Sequence, residues 1–260
     1  METEHAPRPV DTLVDLVVRS HRIVVFTGAG ISTESGIPDF RSPGGIWDRY
    51  TPVQYQDFLA SEERRRYYWR MHRELYQQVR AAQPNEAHLA IATLDRMGKL
   101  DCVVTQNVDF LHQRAGVPEE KVIEIHGTVK YVNCLGCAQR YEREAIEKVL
   151  ERGVEVPRCE ACAGILKPAT IAFGQAMPEQ ETNEAIRRAR ACDLFIVIGS
   201  SLVVYPAADM PIYAKEAEAA LAIVNMTRTP LDGYADAVVC GKAGPIMAEV
   251  VARVKDKLFG

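Results

Sequence analysis

Arg22-Ile-Val-Val-Phe26 runs directly into Thr27-Gly-Ala-Gly-Ile-Ser-Thr33. The run is short, β-branched and without polar alternation, as a strand covered on both faces requires, and it breaks into a glycine-rich loop. The same grammar returns downstream. Asp101–Thr105 gives way to Gln106-Asn-Val-Asp109, and Lys121–Ile125 ends at His126-Gly127. Leu194–Ile198 ends at Gly199-Ser-Ser201, Ala220–Val224 at Asn225, and Ala237–Cys240 just before Ala243. Helical patterns over Asp11–Ser20, Glu86–Met97, Glu179–Ala191 and Pro245–Leu258 fall between or beside these strands. Strands alternating with helices of ten or more residues predict an α/β fold with a doubly wound, Rossmann-like parallel sheet. Two stretches interrupt the alternation: a charged, aromatic helix over Ser61–Arg80, and a cysteine-bearing region near 131–166 with its own polar helix, Arg143–Arg152. They are expected to pack together as a smaller lobe. Ligands are expected where the strand C-ends meet it.

Composition narrows the function classes. The 260 residues are 47% hydrophobic and 25% charged, which fits a folded globular chain. A net charge of −4 argues against holding duplex DNA by charge, so no nucleic-acid partner is expected. The densest apolar run, Leu194–Ile198, is far too short to span a bilayer. Met1–Val10 is polar and Pro-rich rather than basic-then-apolar, so the expected location is the cytoplasm.

The strand ends carry the candidate chemistry. Gly28-Ala29-Gly30 can bring backbone N–H groups to a phosphate, although Thr33 stands where a full dinucleotide fingerprint has a third glycine. Glu34–Trp47, which contains Asp39, Phe40 and Arg41, is too rich in Gly and Pro for a helix and reads as an ordered loop over a cofactor. Asn107 and Asp109 can cap a helix or hold a carboxamide. His126, at the same sheet edge, suits deprotonation of a hydroxyl near neutrality, whereas His88 and His112 read as structural. Gly199, Ser200, Ser201, Asn225 and Ala243 can line a nucleotide pocket or form ordinary turns. The most specific local signal is Cys134-x-x-Cys137 and Cys159-x-x-Cys162, with 21 residues between the pairs. That spacing predicts a closed, structural four-thiolate zinc site, one per chain. Cys102, Cys192 and Cys240, each inside or beside an apolar stretch, read as buried, inert thiols.

The segments GAGISTESGIPDFRSPGGIW, TQNVDFLH, EIHG, the two cysteine pairs, GSSLVVYPAA and the VN strand end occur in the order found in sirtuins. From about residue 10 to 258 the chain resembles this family of NAD-dependent protein-lysine deacylases, and its short tails resemble a minimal, prokaryotic-type member. The resemblance implies a Rossmann-like domain over 1–46, 85–130 and 167–260. It also implies a small lobe made of a helical module (47–84) and a zinc ribbon (131–166). Ala29, Thr33, Phe40 and Arg41 would hold the diphosphate side of NAD and the cofactor loop, with Gly28, Gly30 and Asp39 beside them. Gln106 would contact ribose, and Val108 and Asp109 would form the nicotinamide pocket with Asn107 as a further catalytic residue. Gly199, Ser200, Ser201, Asn225 and Ala243 would hold the adenosine half, and His126 would be the base. Phe173, Gly174, Val203 and Tyr205 would flank an acyl-lysine peptide clamped as an added strand.

The implied reaction begins with attack of the acyl oxygen on C1′ of the nicotinamide ribose. His126 then helps deprotonate a ribose hydroxyl, and lysine, nicotinamide and 2′-O-acyl-ADP-ribose are released. A deacetylase working as a monomer on acylated proteins or peptides is the leading expectation. Mono-ADP-ribosyl transfer, or NAD sensing by a non-catalytic zinc-ribbon protein, are the alternatives. Three departures from the family pattern stand out. Phe110 replaces a common Arg and Gln175 a common Glu. Trp69 and His72 are expected at the places where relatives that take acidic acyl groups carry Tyr and Arg, which favours neutral short acyl chains.

Overall fold

The computed structural model describes residues 8–260, so the expectation drawn from Met1–Val10 lies, over residues 1–7, outside the described part. Six strands form one wholly parallel sheet: β1 (Ile23–Thr27), β2 (Leu100–Thr105), β3 (Val122–Glu124), β7 (Leu194–Ile198), β8 (Ala220–Asn225) and β9 (Ala237–Cys240). Their order is β3-β2-β1-β7-β8-β9, so the winding reverses between β1 and β7. Thr27 is level with Thr105 on one side and with Ile198 on the other. The loops after all three strands therefore leave the sheet at one edge, beside the reversal point where open α/β sheets bind ligands.

Burial on both faces explains the strands' lack of alternation. Val25, Val103 and Ile196 pack with α1 (Pro9–Arg19), α5 (Glu86–Arg96) and α10 (Ala243–Phe259). Val24, Val104, Phe195 and Val197 pack on the opposite face against α8 (Glu179–Ala191) and α9 (Met210–Glu216). Each of these strand side chains is 0% exposed, and full burial of such a residue contributes about 1.5–3 kcal/mol.

The small-lobe elements are α2 (Ile46–Arg49), α3 (Tyr55–Ala60), α4 (Glu62–Ala81) and a three-stranded antiparallel sheet. In that sheet β4 (Gly127–Cys134) lies between β5 (Arg140–Glu142) and β6 (Leu166–Thr170). Helix α7 (Arg143–Glu151) packs Ile146 and Leu150 against Val132, Leu166 and Trp69 of α4, so ribbon and helical module share one core. The outer ends of β4 and β6 reach beyond 131–166. These strands, and α9, carry no clear sequence signature: Lys130, Asn133, Lys167 and Pro168 break the apolar rhythm, and α9 is a 7-residue helix containing Pro211. Cys102 and Cys192 are buried as expected, whereas Cys240, at the end of β9, is exposed. Arg143 is no surface cation; it is 1% exposed, bonded to the buried Glu147, with its guanidinium over the rings of Trp69 and Tyr76. Among the described residues no helix is long and apolar enough to cross a membrane.

Candidate active site

A cavity of about 860 Å³ opens at the sheet's reversal point and runs beneath the small lobe. It collects every residue that the sequence reading assigned to cofactor or substrate. From the first βα loop come Gly28, Ala29, Gly30 and Thr33, and from the covering loop Asp39, Phe40 and Arg41. Gln106, Asn107, Val108, Asp109 and His126 line its middle, while Gly199, Ser200, Ser201, Asn225 and Ala243 line the sheet side. Phe173, Gly174, Val203 and Tyr205 stand at its mouth. Residues 29–35, after the first strand, form a 3-10 helical turn rather than loop. Gly30 N–H donates to the Gly199 carbonyl at 2.9 Å, and Gly199 sits at φ +63 with its absent Cβ 2.2 Å from Ile31 N. Only glycine permits that approach of two loops, and it leaves backbone rather than side chains facing the cavity.

The geometry assigns His126 a protonation state. Its Nδ1 lies 3.2 Å from the Gln106 carbonyl, which can only accept, so Nδ1 carries the proton and Nε2 keeps a lone pair. Burial pushes the imidazole below its usual value, partly opposed by that hydrogen bond, and this keeps the base form at neutral pH. The following Gly127, at φ +74, holds His126 at the turn into β4; an added Cβ would lie 2.0 Å from the Ala169 carbonyl oxygen. His126 O in turn accepts from Ile171 N at 2.9 Å.

Asn107 and Asp109 are both buried and linked through Ser32. Asn107 Nδ2 donates to Gly28 O (3.1 Å) and Ser32 Oγ (3.2 Å), and Ser32 Oγ donates to Asp109 Oδ2 (2.6 Å). Asn107 lines the cavity, and its Oδ1 has no hydrogen-bond partner among the described residues. Asp109 Oδ1 accepts from Leu111 N at 3.0 Å, so helix capping and pocket formation are one arrangement rather than alternatives. Burial raises the Asp109 carboxyl against these bonds. Below this loop His112 Nε2 meets Thr27 Oγ1 at 2.9 Å, Thr27 Oγ1 donates to Thr105 Oγ1, and Asn107 N donates to the same Thr105 hydroxyl. His88 stacks beside His112, with ring centroids 5.0 Å apart; both are buried and structural.

Several candidates turn out to hold loops. Both Asp39 oxygens are taken by Arg41 N, Ser42 N and Ser42 Oγ, within 2.9 Å, so this carboxylate shapes the covering loop. Gln106 Nε2 donates to Ser200 Oγ at 2.8 Å, tying two strand ends together. Gln175 Oε1 accepts from Ala172 N at 3.1 Å, which closes the loop bearing Phe173 and Gly174. Phe110 adopts a left-handed conformation with the Lys130 ammonium 3.9 Å over its ring, so the departure from Arg becomes a cation–π contact. Of the two residues expected on the cavity side of α4, His72 is there and Trp69 is not. Tyr68 and Met71, one residue earlier than Trp69 and His72 in the same spacing, face the cavity. Trp69 turns into the ribbon core, while His72 stays on the cavity wall. Ser32, Glu34, Tyr68, Met71 and Thr170 also line the cavity and were missed. For α4 the usable signal was the stripe Tyr68, Met71, His72, Leu75, at helical spacing.

The four cysteine sulfurs lie within 4.8 Å of one another. Cys134–Cys162 and Cys137–Cys159 are 3.5 and 3.6 Å apart. A tetrahedral zinc–thiolate site has edges of about 3.8 Å, so the donor set fits zinc with no position left open. Tyr141 Oη lies 3.1 Å from Cys159 Sγ as an outer partner.

Comparison with known proteins agrees with this geometry. The Sir2 family model matches residues 28–206, and NAD-dependent protein deacetylase 1 of Bradyrhizobium diazoefficiens is 47% identical over 242 residues, 93% of this chain and 95% of that protein. The chain belongs to the Sir2 family. A solved structure from work on the mechanism and regulation of Sir2 enzymes superposes with a TM-score of 0.87 at 40% identity, covering 96% of this chain and 98% of that one. A Sir2 histidine-to-alanine variant, solved with deacetylated p53 peptide and 3′-O-acetyl ADP ribose, gives a TM-score of 0.85 at 38% identity and covers 95% and 97% of the two chains. In this chain the parallel sheet and the small lobe enclose the cavity between them.

Proposed function

We propose that this Sir2 protein is an NAD-dependent protein-lysine deacylase, in the first place a deacetylase, with His126 as its base. The observation that carries this is a histidine with a free Nε2 lone pair in a cavity also lined by a glycine-bounded βα loop and by an exposed apolar mouth. Acyl-lysine, NAD and one water become lysine ammonium, nicotinamide and 2′-O-acyl-ADP-ribose: the lysine amide bond and the nicotinamide–ribose bond break, an ester forms, and no net proton is released. When bound, NAD supplies an electrophilic ribose carbon and its neutral nicotinamide leaving group. The chain supplies position and proton transfer, so it needs no protein nucleophile.

The cavity fits such a dinucleotide: its volume is at the upper end of the usual range for small-molecule sites, about 300–1,000 Å³. Backbone at Gly28–Gly30, with Ala29 and Thr33, accommodates phosphates under Phe40 and Arg41. Asn107 Oδ1, Val108 and Asp109 orient the carboxamide, and Gln106 reaches ribose. Gly199, Ser200, Ser201, Asn225 and Ala243 form the adenosine end. His126 Nε2 takes the proton of a ribose hydroxyl. Phe173, Val203 and Tyr205 are 40%, 47% and 67% exposed on opposite lips of the cleft, which suits an extended peptide laid between them. The same reading divides the chain into the Rossmann-like domain, the helical module and the zinc ribbon expected from sequence. It describes a monomer without nucleic-acid partners. Its free thiols suit the reducing cytoplasm.

An acetyl-lysine peptide incubated with and without NAD, and analysed for both products, tests the reading. NAD-dependent deacetylation with O-acetyl-ADP-ribose supports it; ADP-ribosylated protein without deacylation contradicts it.

A further inference from the structure

The α4 end of the cavity holds one polar group that nothing in the protein satisfies. Val53, Met71 and Leu75 supply an apolar wall there, and Tyr68, Thr170 and His72 interrupt it. Tyr68 Oη lies 3.2 Å from Thr170 Oγ1, so these two hydroxyls serve each other. His72 is 6% exposed and stacks on Tyr68 with ring centroids 4.1 Å apart. His72 lines the cavity, and neither ring nitrogen has a hydrogen-bond partner among the described residues; Nδ1 is sealed from solvent, so Nε2 is the nitrogen that a ligand can reach. This corner adjoins the reacting region: Thr170 pairs with Gly127 across β4 and β6, and the next residue, Ile171, donates to His126 O.

The corner's charge selects among possible occupants. Burial, with Arg143 and Lys167 nearby, drives the His72 imidazole well below its usual value, so it is neutral. Arg143 is bonded to Glu147, and Lys167 Nζ donates to the Pro168 and Thr170 carbonyls. No charged side chain lines this end of the cavity. A carboxylate here would be desolvated with no cation in direct contact, because Arg143 and Lys167 stand behind the wall and are already bonded. A purely alkyl chain would displace any water and leave the imidazole unpaired, which is penalised more than a missing methylene. A hydroxyl both donates and accepts, and so can pair with Nε2 in either tautomer of the neutral imidazole.

We propose that His72 is a specificity-determining residue that selects acyl-lysines bearing a hydroxyl beyond the amide carbonyl over alkyl chains of equal length. The inference rests on the deacylase reading given above. The test measures NAD-dependent kcat/KM for 3-hydroxybutanoyl-lysine and butanoyl-lysine versions of one peptide, with its acetyl-lysine version as reference. In the wild type the hydroxyacyl-to-alkyl ratio is expected to be about 10 or more. His72→Leu should bring the ratio to about 1 or below, while His72→Gln, which keeps a donor and an acceptor, should retain a preference. A wild-type ratio of 1 or less with acetyl-lysine turned over, or a preference that survives in His72→Leu, overturns the proposal and leaves the deacylase reading standing. Absence of NAD-dependent turnover on all three peptides overturns both. If His72→Leu does not fold, the wild-type ratio and the Gln variant decide.

Discussion

The two walls of the cavity are built by different means. On the sheet side, close-packed strands with side chains 0% exposed deliver loops to one edge, and backbone atoms of Gly28, Gly30 and Gly199 form the surface. On the small-lobe side, four sulfurs and a buried ion pair hold short strands and α4 together. Arg65 Nε, Trp69 Nε1, His72 Nδ1, Arg143 Nη1 and Glu147 Oε2 are buried there without hydrogen-bond partners among the described residues. The sheet wall is fixed by geometry that only a few residue types allow. The lobe wall is fixed by individual side-chain contacts, and its chemistry is freer to change. A cofactor common to many relatives belongs on the first wall, and discrimination among acyl groups on the second.

That contrast can be broken by removing what holds each wall. The largest effect is expected from zinc. Chelation, or Cys137→Ser, should unfold the small lobe and abolish deacylation while the parallel sheet keeps its structure. Hydrogen exchange resolved by segment checks this, and unchanged protection over residues 127–170 would contradict a structural site. Next comes the ion pair: Arg143→Met leaves the buried Glu147 with only the half-exposed Arg73, 3.7 Å away, and should cost about 3–5 kcal/mol in denaturant unfolding, whereas Arg143→Met with Glu147→Leu should recover most of it. On the other wall, Gly199→Ala forces a Cβ against Ile31 N at positive φ. It should cost about 2–4 kcal/mol and weaken NAD binding in calorimetry more than the Arg143 change does.

The smaller effects concern pH. His88 is buried without a charge partner, and burial lowers its pKa from 6.5 to about 4. Below pH 6.5 the unfolded chain therefore binds more protons than the native one. The contribution is fully present above 6.5 and is lost as pH falls toward 4, roughly 3 kcal/mol at most. Thermal unfolding of wild type and His88→Gln between pH 7.5 and 4 should show the wild type losing more, and parallel curves would refute it. Catalysis titrates in the same direction. Because burial lowers His126, kcat/KM should rise with pH to a plateau through an apparent pKa below 6.5.

The same contrast explains what was legible in the sequence. Uninterrupted apolar runs ending in Gly, Asn or His announce buried parallel strands and their ligand edge, so the residues at those strand ends were readable one by one. The cysteine pairs carry their own spacing. The lobe interior was not readable: β4 and β6 are polar strands whose pairing is long-range, and a helix stripe one residue off exchanges Trp69 for Tyr68 on the cavity wall. Arg143 and Glu147 look like surface charges until Trp69 and Tyr76 cover them. Asp39 stands on the cavity wall as expected, but its bonds to Arg41 N and Ser42 within the covering loop were not readable.

The most direct test of the central claim is mass spectrometry of an acetyl-lysine peptide with wild type and His126→Gln, each with and without NAD, alongside calorimetric NAD binding. The account predicts NAD-dependent loss of acetyl with O-acetyl-ADP-ribose in the wild type, and a fall in turnover of about 10²–10⁴ in the variant with NAD still bound. Full activity in His126→Gln would contradict it.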